Sequence, residues 1–172
     1  MSVAKKEKPR RSKVLCSQRN MVIIDGYNLI YADDHLQETA LFSLVKAREE
    51  LMDLLSNYVS YTKTELVLVF DAYLVKEGAG TEYIHDGYRV VYTKANQTAD
   101  AYIEKMIYEF GPDYSIRMVT SDRLLQFSAV QSGILRMTSK DFLEELTRVG
   151  NEITEFVRKL SENNKKEVKT EI

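Results

Sequence analysis

Four aspartates are the residues most able to do chemistry in this chain. Asp25 ends MVIID, Asp71 ends ELVLVFD, Asp100 lies in the TAD that follows RVVYT, and Asp122 ends RMVTSD. Each stands where a buried strand is expected to run out. The carboxyl ends of parallel strands open onto one edge of an α/β sheet, where such folds keep their sites. Four carboxylates meeting there repel one another unless a cation neutralises them. Oxygen-only ligands at this density suit Mg2+ or Mn2+, which take one or two carboxylates and keep waters and substrate phosphates. Such an ion lowers the pKa of a bound water and offsets charge on a phosphate ester.

Taken singly, each aspartate reads about as well as a helix cap or a turn residue. Asp122 does so most of all, because Thr120-Ser121-Asp122 precedes a helical stretch. Competing chemistries are thin. His35 and His85 are the only histidines, both in expected loops, and Cys16 is the only cysteine. No Gly-x-Gly-x-x-Gly follows the first strand and no Walker lysine motif occurs. Asp25-Gly26-Tyr27-Asn28 lacks the second aspartate that a haloacid-dehalogenase-type phosphatase uses as general acid. It also lacks the adjacent acidic pair of a response-regulator receiver. Gly26 would let the backbone turn tightly and approach a ligand.

The elements that must position these residues alternate. Buried strands are expected at 21–25, 65–71, 88–93, 115–120 and 134–137. Helical spacing runs from about Glu38 to Tyr61, with Leu41, Leu44, Val45, Arg48, Leu51, Leu54 and Leu55 on one face. Further helices are expected over 97–110, ended by Gly111-Pro112, from Arg123 to about Gln131, and from Ser139 as N-cap to about Leu160. Residues 73–87, with three glycines, read as a loop. This order predicts an α/β fold with a mostly parallel five-stranded sheet and helices on both faces.

One domain is expected over 21–162, between a basic arm at 1–20 and a polar tail at 163–172. The arm carries seven Lys or Arg against one acid, leaving 17 bases against 25 acids elsewhere, a net of −8. A basic arm on an acidic body suits a polyanion partner, or is simply a solvated tail. The apolar runs are too short to span a bilayer, and no apolar stretch follows the basic run as in a secretory signal. A cytoplasmic protein that does not associate with membranes is the expectation.

DGYN at 25–28, VFDAYLVK at 69–76, VYTKANQTADAYIEK at 91–105 and VTSD at 119–122 resemble the motifs of the YacP-like NYN-domain proteins, a group of PIN-like nucleases. The resemblance covers about residues 21–160. It implies a three-layer α/β/α PIN-like fold and metal-dependent cleavage of mRNA, in association with the ribosome. By motif, Asp25, Asp71, Asp100 and Asp122 would be catalytic, with Asp25, Asp100 and Asp122 on the Mg2+ or Mn2+ ion. Asn28, Tyr27, Lys76, Lys94 and Arg123 would bind substrate, lysine and arginine at phosphates and tyrosine by stacking. Tyr73 and Tyr92 are further stacking candidates, and Glu104 stands one helical turn after Asp100. Two other readings stay open: a non-catalytic RNA- or ribosome-binding module, and a small-nucleotide phosphohydrolase.

Overall fold

The computed structural model describes residues 19–74, 78–123, 125–126 and 133–170, without the side chains of 165–170. Most of the basic arm, Cys16 and Lys76 lie outside them, as does most of the short helix expected after Arg123. Six strands form one sheet in the order β3-β4-β2-β1-β5-β6. These are β1 Arg19–Asp25, β2 Glu65–Phe70, β3 Glu82–His85, β4 Tyr88–Tyr92, β5 Tyr114–Val119 and β6 Leu135–Met137. Every pairing is parallel except β3 with β4.

The sheet has one strand more than the five expected. β3 lies within the segment read as a loop, and it pairs with β4 across Asp86-Gly87. Both turn residues have positive φ, 44° and 88°, as a two-residue hairpin turn requires. The Asp-Gly pair between YIH and YRV was therefore a hairpin signal.

Alternation along the central strands makes three layers. Val22 and Ile24 of β1 pack with Leu66, Leu68 and Phe70 of β2 into one core. Helices α1 Gly26–Ala32, α2 Asp34–Phe42, α3 Leu44–Thr62 and α5 Ser139–Thr170 cover that face. Met21, Ile23, Val67 and Val69 face the other way, under Ile103, Met106 and Ile107 of α4 Ala99–Phe110.

The single helix expected from Glu38 breaks in two at Ser43, whose extended backbone and side chain cap α3 through the Lys46 N–H at 3.2 Å. The break resets the helical phase. Leu51 and Leu55 are buried as expected, alongside Ala47, Met52, Tyr58 and Val59, while Leu41 is 81% exposed. At the last helix the cap is Thr138 rather than Ser139, its Oγ1 accepting the Asp141 N–H at 3.1 Å. That helix runs ten residues past Leu160, through the segment expected to be a tail.

Candidate active site

The sheet topology brings three strand ends together, because β2, β1 and β5 are neighbours and parallel. Asp25, Asp71 and Asp100 share a cleft of about 940 Å3 with Tyr27, Tyr31 and Tyr73. Asp122 is not in its lining, yet its charge acts on both Asp25 and Asp100.

The capping and ligand readings of the aspartates prove compatible. Asp25 caps α1, its Oδ1 accepting the Asn28 N–H at 3.2 Å. Asp122 Oδ1 accepts the Leu125 N–H at 3.1 Å. Asp71 uses both oxygens, accepting from the Tyr73 N–H at 2.8 Å and the Ala99 N–H at 3.2 Å. The second bond ties the end of β2 to the first turn of α4, which carries Asp100. Each carboxylate oxygen has two lone pairs, so Asp25 and Asp71 keep acceptor capacity beyond these bonds.

Electrostatic strain is concentrated at Asp25. Burial raises its pKa from 3.8 to about 6, with the Asn28 N–H opposing and the charges of Asp100, Asp122 and Asp71 adding to the rise. Asp100 is also raised, by burial first, then by Asp122, Glu104 and Asp71. Hard oxygen donors that raise one another's pKa are the donor set a divalent cation stabilises. Among the described residues, no three acidic, histidine or cysteine side chains are grouped as a ready-made ligand set. The fit is thus to an ion held by one or two carboxylates with waters, the habit of Mg2+, rather than to a closed protein cage.

Several neighbours stand differently from their sequence reading. Gly26 has no positive φ; a Cβ there would overlap the Phe70 ring, so the glycine serves close packing under the β1–α1 corner. Asn28 Oδ1 accepts from the Ser121 N–H and the Ser139 hydroxyl, both at 2.8 Å. That oxygen holds the end of β5 against the start of α5. Tyr27 is 6% exposed with its ring 5.1 Å from that of Phe70, so its face is not open to a base. Tyr92 is stacked on Phe70 at 5.4 Å. Tyr73, 91% exposed, is the stacking candidate with a free face. Lys94 is exposed but outside the cleft lining, and Arg123 is exposed beside Asp122. Tyr31, Asn96 and Gln97 also line the cleft and were missed. Tyr31 had a signal, since it lies one helical turn after Tyr27.

The motif contexts and the fold agree with one family. Its model, the YacP-like NYN domain, matches residues 22–172. The chain belongs to that family. YacP of Bacillus subtilis (strain 168) is 33% identical over 143 residues, covering 83% of this chain and 84% of that protein. The crystal structure of Rae1 (YacP) from Bacillus subtilis matches with a TM-score of 0.74 at 32% identity, over 84% of this chain and 83% of the other. A single-substitution mutant of that protein matches with a TM-score of 0.72 at 30% identity, over 83% and 84%. NYN domains belong to the PIN-like nuclease superfamily, whose members generally use divalent metals. Among the described residues of this NYN domain, no helix is long and apolar enough to cross a membrane.

Proposed function

We propose that the protein is a Mg2+- or Mn2+-dependent endoribonuclease that cuts mRNA in association with the ribosome, in the cytoplasm. One observation carries this reading. The carboxyl edge of the sheet gathers four aspartates, where burial first, and the charges of the other three second, raise Asp25 to a pKa of about 6. A fold gains no stability from that arrangement, so it supports a role in binding a cation. Asp25, Asp100 and Asp122 are assigned to it, one or two as direct ligands and the remainder through its bound waters. Asp71, fixed by two backbone N–H groups, orients the attacking water or completes the set. The bound ion would activate that water and offset charge on the phosphodiester. Tyr73 offers a face to a base, and Lys76, Lys94 and Arg123 are assigned to flanking phosphates. Asn28 contributes by holding the loop that carries Asp122.

An acidic body binds free RNA poorly, since phosphate neutralisation drives non-specific affinity. Recruitment to the ribosome or the basic arm at 1–20 answers that difficulty. The test is labelled mRNA with and without ribosomes, in Mn2+ and in chelator. Metal-dependent cuts that disappear in Asp25→Asn are expected. Intact RNA in every condition, with the protein co-sedimenting with ribosomes, would instead mark a binding module. The lack of a closed ligand set among the described residues is the observation favouring that second reading.

A further inference from the structure

The floor of the cleft presents a chemical problem to an RNA backbone. Ionised aspartates only accept hydrogen bonds, and so do the non-bridging oxygens of a phosphodiester. Asn28 Oδ1 is an acceptor too, engaged by Ser121 and Ser139. Donors are needed on the wall, and Tyr27, one of its lining residues, carries a hydroxyl. Tyr27 lines the cleft beside Asp25 and Asp71, and packing on Phe70 holds its ring.

Behind it stands Arg48 of α3. Its Nη1 donates to the Tyr27 hydroxyl oxygen at 3.0 Å, and its guanidinium lies 5.9 Å from the centre of the Tyr92 ring. Arg19, Arg89, Arg117, Arg148 and Arg158 each meet a carboxylate. Arg48 meets a phenol instead, and has no acidic partner within ion-pair distance among the described residues. A half-buried guanidinium without a counter-ion is costly in a fold. Next to a site for a polyanion it has a use. An arginine N–H cannot accept, so the hydrogen of the Tyr27 hydroxyl must point away from Arg48.

We propose that Arg48 is a positioning residue of the cleft, turning the Tyr27 O–H toward a non-bridging phosphate oxygen of the bound RNA. The inference rests on the nuclease reading and adds a donor pair to it. Arg48 also lends positive charge to the phosphate through the phenol without entering the cleft.

The test measures binding, with the full chain carrying Asp25→Asn to prevent cutting. A short fluorescein-labelled single-stranded RNA is titrated in Mn2+ and followed by anisotropy. Tyr27→Phe, which keeps the ring and its packing, is expected to weaken binding about tenfold, the size of a hydrogen bond to a charged group. Arg48→Met should weaken it similarly, Arg48→Lys should recover part of the loss, and the double variant should be no weaker than Arg48→Met. Melting temperatures report whether each variant is folded; if Arg48→Met is not, Tyr27→Phe and Arg48→Lys carry the comparison. Unchanged affinity in folded Tyr27→Phe, or losses that multiply in the double variant, would overturn the proposal and leave the nuclease reading intact. An RNA that binds the parent chain neither alone nor in the presence of ribosomes would remove both.

Discussion

Two half-buried carboxylates meet opposite fates. Glu145 of α5 is held by Arg117 of β5 through paired bonds of 2.8 and 3.0 Å, and accepts from the Tyr58 hydroxyl at 2.6 Å. Burial pushes its pKa up, but the Arg117 and Tyr58 bonds outweigh burial and hold it below the usual 4.5. Asp25 sits at the end of β1 among three other acids, and is raised to about 6. Sequence marks Asp25 as a strand-end acid of the DGYN motif but gives no sign of the cation that meets Glu145. The difference is whether the fold supplies the cation. Where it does, the acid joins helix to sheet; where it does not, the acid is left for a partner from solution.

Breaking the first site should have the largest effect. Arg117→Met leaves Glu145 buried without its cation, and is expected to cost about 3 kcal/mol at neutral pH, as for other broken buried pairs. The sign follows from the lowered pKa of Glu145. Its contribution is present above the unfolded value and lost as pH falls through the folded one. The gap between Arg117→Met and the native chain in urea unfolding should therefore narrow below about pH 4.

Gly26→Ala tests whether the corner under the acidic site is packed as tightly as the described contact implies. The added methyl meets Phe70, so a loss of about 2 kcal/mol is expected from overpacking. A change below a few tenths would show that Phe70 can shift.

The smallest and most telling change is at Asp25. Its folded pKa is raised, so ionisation opposes folding; the penalty grows from about pH 4 and is complete above about 6. Asp25→Asn keeps a capping side chain and removes the charge. Without added metal it should be more stable than the native chain by about 1 to 2 kcal/mol at pH 7.5, after discount for solvent, with no gain at pH 4. A loss of stability at pH 7.5 would erase the contrast between the two acids.

Much of this was legible in the chain. The strands ending at Asp25 and Asp71 were marked by continuous aliphatic runs, and a mostly parallel sheet followed from alternation with helices. The unforeseen parts depended on geometry beyond the local pattern. Ser43 interrupts what reads as one amphipathic stretch, so the buried face of α3 differs from the expected stripe. Asn28 reads as a substrate-binding residue, but its tie to Ser121 and Ser139 joins residues 93 and 111 positions apart. Tyr27 and Tyr92 looked alike to Tyr73, and only packing on Phe70 separates core tyrosines from an open one. Arg48 gave no sign of its partner, because Tyr27 is 21 positions away.

The central claim is that the aspartate cluster is waiting for a divalent cation. Calorimetric titration of Mn2+, in two buffers of different ionisation enthalpy, tests it directly. The account predicts binding to the native chain with proton release near pH 6, little proton release at pH 7.5, and much weaker binding to Asp25→Asn. Heats that are the same for the native chain and Asp25→Asn, with no proton release at either pH, would contradict it.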